Sequence, residues 1–252
     1  MPRQRREKGE TGLYHIMLRG IDRRVIFEDE EDDRKFLSLL ERFKGECGFE
    51  LPGYCLMSNH VHLLMREKEV PLETIFRKLG AAYVYYFNHR YDRVGPLFQD
   101  RFRSEIIRDD PQLLQTLRYI HRNPVKAGIC EAPEAYAFSS YRQYLGKGEG
   151  PADTGFILGM MSKRALIRFT KEAAEDMVMD MPDHAPRRPT DREAASAVER
   201  ILKERGLSDI HALGRAERDA LLAELRRQGL SLTQISRLTG FSRSIISRAG
   251  MQ

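Results

Sequence analysis

The segment CLMSNHVHLLM, residues 55–65, constrains the fold of this chain more than any other stretch. Two apolar, strand-forming runs, 49–57 and 60–65, are separated only by Ser58 and Asn59, both turn formers, so the spacing predicts a β-hairpin. Side chains two apart on a strand share a face. His60 and His62 therefore stand side by side, and Val61 points the other way, as a core residue would. Alone, an H-x-H triplet is a weak signal; one half-buried and one exposed histidine is the better reading if nothing else matches.

The flanking patterns supply the rest of the domain. Residues 13–21 read as a strand, and the acidic run EDEEDD at 28–33 opens a helix with Phe36, Leu39, Leu40 and Phe43 at helical spacing. From Pro71, in the first helical position, Leu72, Ile75, Phe76, Leu79, Ala82, Tyr83 and Tyr86 repeat every three or four residues. Residues 101–108 alternate as a further strand. A helix over 111–121 must stop by Asn123, because Pro124 disfavours helical geometry in the residue before it. Strand, helix, strand, strand, helix, strand is the order of an α+β, ferredoxin-like split βαβ domain with an antiparallel sheet. This domain is expected to fill 1–150. The turn-rich 146–155 and proline-rich 180–191 make 151–190 a linker with a bridging helix at most, and 191–252 an all-helical helix-turn-helix domain.

Composition removes several function classes. The longest apolar run, 81–87, is far below the roughly 18–20 residues of a membrane span. The basic N-terminus lacks an apolar core and a cleavage site, so a cytoplasmic protein without membrane contact is expected. Cys47, Cys55 and Cys130 show neither disulfide-framework nor C-x-x-C spacing. Lys and Arg outnumber Asp and Glu by 42 to 37, a modest excess that gathers at the two ends. Arg3, Arg5, Arg6 and Lys8 crowd the start, and no acid follows Glu224.

A second element raises the weight of the histidine pair. In YIHRNPVKAG, residues 119–128, Tyr119 and Asn123 lie four apart on one helix face, so a phenol and an amide oxygen can act together beside a metal held by His60 and His62. The alternative is a core tyrosine and a helix-capping asparagine. Of the other tyrosines, Tyr83 and Tyr86 fall on an apolar stripe, and Tyr85 and Tyr91 have no amide or acid in a matching motif. Arg101 and Arg103 alternate on their strand and can line a DNA groove. Near the C-terminus, 230–248 reads as two short helices hinged at Gly240, with Thr233 and Ser242 as N-caps and Ile235, Leu238, Ile245 and Ile246 inward. The second helix presents Arg243, Ser244, Ser247 and Arg248 to a major groove; a plain helical hairpin is the alternative.

Four blocks in this order, YCLMSNHVHLL at 54–64, GPLFQDRFRS at 95–104, YIHRNPVKAG at 119–128 and FSSYRQYL at 138–145, resemble the single-tyrosine HUH transposases, most closely the REP-associated tyrosine transposases. The resemblance covers about 10–146. Ser58 stands where the family often has proline, and compact members lack the helical C-terminal third. The resemblance implies a nucleophilic Tyr119, a divalent cation (Mg²⁺ or Mn²⁺) on His60 and His62 with Asn123 at or near the third ligand position, and cleavage of single-stranded hairpin DNA through a 5′-phosphotyrosine. Duplex DNA at the C-terminal domain and a monomer or homodimer complete the expectation. Rival readings are a non-catalytic DNA-binding regulator that kept the fold and a relaxase or replication-initiator-type nickase.

Overall fold

The structure is a computed structural model that describes residues 9–99, 101–172, 189, 191–206 and 210–249. The basic N-terminal cluster and most of 173–190 lie outside the described residues. The chain divides into two compact units, one of Met1–Ile26 and Asp33–His184, the other of Phe27–Asp32 and Ala185–Gln252.

The first unit is built on a four-stranded antiparallel sheet in the order β2-β3-β1-β4, from β1 (Leu13–Arg19), β2 (Glu50–Met57), β3 (His60–Arg66) and β4 (Arg103–Ile106). Between them run α1 (Glu30–Cys47) and α2 (Leu72–Tyr91), with α3 (Asp110–Lys126) after β4. This is the α+β arrangement that the element order predicts. Both faces of the sheet are dry. One presents Tyr14, Ile16, Leu18, Val61, Leu63 and Met65, all buried. The other presents Leu13, Leu64, Cys55 and Met57 to Leu113, Leu117, Tyr119 and Ile120 of α3. Contact there is close enough that a Cβ on Gly53 would lie 2.6 Å from Leu117 Cδ1 and force that side chain to shift.

β2 is an edge strand, and it carries Pro52 beside a register shift at Glu50/Gly53, where a missing ladder N–H is tolerated. Its open side is closed by the FSSYRQYL block. Leu56 N donates to Phe138 O, Ser140 N donates to Tyr54 O, and the Tyr144 hydroxyl donates to Pro52 O at 2.6 Å. That block is edge cover, which answers the aggregation hazard of an unpaired strand.

The structure departs from the sequence reading at several points. α3 runs through Pro124 to Lys126 instead of ending by Asn123, because a proline in the last turn forfeits only the one bond its N–H would make, and the carbonyls beside it keep their donors: Ala127 N on Asn123 O and Ile129 N on Pro124 O, both 2.9 Å. Pro71 caps α2 from outside instead of opening it. β4 is half the expected length; Arg101 precedes it, so Arg101 and Arg103 do not share a strand face.

The preceding block ends in α4 (Tyr141–Tyr144), and within 151–190, read from sequence as a linker with a bridging helix at most, the described residues form two helices, α5 (Thr154–Met160) and α6 (Lys163–Lys171). Ile157 and Leu166 complete the apolar cluster around Leu117 and Tyr119. Asp153 fastens the start of this segment, accepting from Leu51 N at 2.7 Å and pairing with Lys44 at 2.6 Å.

The second unit contains α7 (Asp191–Glu204), α8 (Arg215–Arg227), α9 (Leu232–Thr239) and α10 (Arg243–Ala249). Their core is Ala194, Val198, Ile201, Leu221, Leu222, Leu225, Ile235 and Ile246, with Leu238 and Ile245 packed against it. α9 is capped by Ser231, not Thr233: its hydroxyl accepts from Gln234 N while the Gln234 side chain accepts from Ser231 N, a reciprocal capping box. Gly240, at φ +75, makes the left-handed turn into α10. Among the described residues no helix is long and apolar enough to cross a membrane.

Candidate active site

The strand alternation and the helical period meet on the α3 face of the sheet. β3 brings His60 and His62 to that face, with ring centroids 4.8 Å apart and planes at 87°. Over them α3 lays Tyr119 and Asn123, one turn apart. The Asn123 carboxamide nitrogen lies 3.3 Å from His62 Nε2, and the Tyr119 ring stands edge-on to the His62 ring with centroids 5.4 Å apart. All four residues are buried. His60, Tyr119 and Asn123 thus each lie against His62, although Tyr119 lies 59 positions beyond His60 in the chain.

Second contacts orient the two imidazoles. Asn59, half of the hairpin turn, donates from Nδ2 to Arg23 O at 3.2 Å, which turns its oxygen to His60 Nδ1 at 2.7 Å. An amide oxygen only accepts, so the His60 proton sits on Nδ1 and the Nε2 lone pair is presented to the site. The receiving loop carries two consecutive left-handed residues, Asp22 at φ 51 and Arg23 at φ 58. Backbone of that kind is held only where its surroundings enforce it. For His62, burial is the chief cause that drives its basicity far below the usual imidazole range, reinforced by the neighbouring His60 and His15 and by Lys126. It is a neutral ring, the state in which imidazole binds metals.

Three further residues belong to this site and were not singled out from sequence. His15 of β1 is buried with its ring stacked on His62 at 5.2 Å. Glu105 lies opposite it on β4. Lys126, seven residues beyond Tyr119 and exposed, holds its ammonium 5.3 Å from the centre of the Tyr119 ring. Lys126 was legible as a position on the Tyr119 face; His15 had no signal without the strand pairing.

The donor set can be tested against a divalent cation. Among the described residues no group of three or more His, Cys, Asp or Glu side chains is disposed to hold a metal. Two buried imidazoles and one carboxamide are present, a set in which imidazole favours Mn²⁺ over the oxygen-preferring Mg²⁺ and water would fill the remaining positions. Both nitrogens of His15 are turned elsewhere, so it is no third ligand.

The competing tyrosines are accounted for otherwise. The Tyr83 hydroxyl donates to Ile26 O at 2.6 Å, Tyr86 accepts from Arg90, and Tyr85 is 75% exposed on α2. Arg101 and Arg103 are exposed. In the second unit Ser244 and Arg248 are exposed on α10, whereas Arg243 and Ser247 are partly buried, and the Ser247 carbonyl accepts from Arg226.

Residues 10–123 match the sequence profile of the family described as "Transposase IS200 like". This stretch of the first unit is similar to that family of transposases. The chain is also similar to a Haemophilus influenzae protein provisionally named a REP-associated tyrosine transposase, at 29% identity over 167 residues, which are 62% of this chain and 94% of that protein. Among solved structures, a REP-associated tyrosine transposase bound to a REP hairpin aligns at 18% identity with a TM-score of 0.49, over 75% of this chain and 98% of that one. A provisionally assigned Deinococcus radiodurans transposase aligns at 18% identity with a TM-score of 0.35, over 48% and 96%.

Proposed function

We propose that this chain is a transposase-like, divalent-metal-dependent endonuclease and strand transferase for single-stranded DNA, and that it works through a covalent bond between Tyr119 and a 5′-phosphate. The observation that carries the reading is the Asn123–His62 contact, which brings the Tyr119 face of α3 onto the histidine pair. His60, His62 and the Asn123 oxygen would hold the cation, which supplies charge to offset that developing on the scissile phosphate. Tyr119 attacks the phosphorus, the bond to the 3′ oxygen breaks, the phenolic proton passes to solvent, and the 3′ oxygen takes one up. The phosphotyrosine retains the phosphodiester energy, so a second 3′-hydroxyl can reverse the step and join a new strand. Lys126 favours the phenolate by placing its cation beside the ring.

The substrate proposed is a hairpin of palindromic repeat DNA, by likeness to the relatives named above. For the second unit we propose duplex binding through α10, with Arg243, Ser244, Ser247 and Arg248 toward the groove and phosphates. Incubation with end-labelled single-stranded hairpin and Mn²⁺ should yield a covalent protein–DNA adduct that maps to Tyr119. Binding without any adduct, under any divalent cation, would instead identify a regulator that kept the fold.

A further inference from the structure

On the side of His62 away from Asn123, three groups stand in a row. His62 Nδ1 lies 3.0 Å from His15 Nε2, and His15 Nδ1 lies 4.0 Å from Glu105 Oε2. The arrangement follows from register: Glu105 is directly opposite His15 across β1 and β4, and His62 is diagonal to it on β3. The His15 side chain is fully buried, and that of Glu105 is one-third exposed.

Each neutral imidazole has one N–H and one lone pair, so the row can be polarised in two ways. In one, His15 points an N–H at Glu105 and accepts on Nε2 from His62 Nδ1–H, leaving His62 Nε2 as a lone pair toward Asn123. In the other, every proton moves to the opposite nitrogen, and the His15 Nδ1 lone pair faces a carboxylate. A carboxylate only accepts, so the second arrangement sets two electron-rich groups against each other. The first also suits the Asn123 nitrogen, which stands as a donor at His62 Nε2.

We infer that Glu105, acting through His15, is a positioning residue that holds His62 as the Nδ1–H tautomer, with its Nε2 lone pair aimed at the site. The inference rests on the proposed metal role of His62 for its purpose, although the tautomer itself does not require a metal. The histidine pair is thus oriented from two directions, His60 by Asn59 and His62 by Glu105 through His15.

The test uses full-length protein labelled with ¹⁵N-histidine. Long-range proton–nitrogen spectra of the metal-free protein should give His62 protonated on Nδ1. In E105Q the carboxamide can donate as well as accept, so both His62 tautomers should appear, and Mn²⁺ affinity measured by calorimetry should fall about tenfold. His15→Phe, which fills the space without nitrogens, should have the same effect, and E105D, which keeps the charge, should restore the wild-type spectrum. A wild-type His62 protonated on Nε2, or a doubly protonated His15, would overturn the inference, as would an unchanged spectrum with unchanged Mn²⁺ affinity in E105Q. If His62→Ala binds Mn²⁺ as tightly as wild type, the metal reading fails instead, and the tautomer result stands by itself.

Discussion

The Tyr119 ring stands edge-on to the His62 ring, their planes at 83°, so the chemistry of α3 and that of the sheet meet at His62. Tyr119→Phe removes one oxygen and almost no volume. It should leave folding and DNA binding near wild type and lower cleavage by at least about a thousandfold, with no adduct on a denaturing gel. An adduct on Tyr83, Tyr85, Tyr86 or Tyr91 would refute the assignment.

His60→Ala and His62→Ala each delete one proposed ligand. Cleavage should drop about a hundredfold or more, with partial recovery at high Mn²⁺, whereas Asn123→Ala should be milder because water can replace an amide ligand. The check is initial rate against Mn²⁺ concentration. Full activity of His60→Ala in excess EDTA is the adverse result.

Stability should fall in mild acid. His62 is held neutral by burial, and burial likewise lowers His121 to about 3. Their folded values lie below the unfolded one, so the fold's advantage is complete above pH about 6.5 and declines as pH falls, by about 1.4 kcal/mol per pH unit for each histidine. Urea melts at pH 7.5, 6.5 and 5.5 measure it. His121→Gln, which keeps a polar partner for Ser140, should remove one histidine's share of the slope.

A chain ending at residue 150 should be badly destabilised, since it loses Ile157 and Leu166 from the cluster that backs Tyr119. Two fully buried aliphatic side chains contribute about 4 kcal/mol, a large part of a typical domain's stability. A chain ending at residue 172 should melt close to the full-length first unit. Equal melting of the two truncations would show that α5 and α6 are dispensable.

Arg243→Ala and Arg248→Ala should each weaken duplex binding and reduce its salt slope by about one, with single-strand cleavage unchanged. Fluorescence anisotropy from 50 to 200 mM salt is the measurement. Unaltered slopes would remove α10 from the interface.

Local periods carry most of what the sequence reveals. Same-face placement of His60 with His62 needs only the strand period, and that of Tyr119 with Asn123 only the helical one; both pairs lie where those rules put them. His15 escapes because its role depends on a partner 47 residues away, and no local pattern distinguishes one histidine in an apolar strand. The boundary at Pro124 fails because the pre-proline preference is weak enough for packing to override in a last turn. Residues 154–171 read as a linker because the turn-rich 146–155 and the proline-rich 180–191 flank them, and two buried side chains, Ile157 and Leu166, decide their place instead. The Ser231–Gln234 capping box was visible as spacing, but Thr233 stood nearer the apolar run.

The turn between β2 and β3 has no spare backbone. Ser58 O accepts from Ile26 N at 2.8 Å, Asn59 O from Gly20 N at 2.9 Å, and the Asn59 side chain spans Arg23 and His60. Hairpin tips are ordinarily where proteins accept extra residues, epitope tags or split points. Here one added residue would shift β3 by one position and bring Val61 to the face that His60 and His62 now occupy. The length of this tip is therefore as much a part of the site as its side chains.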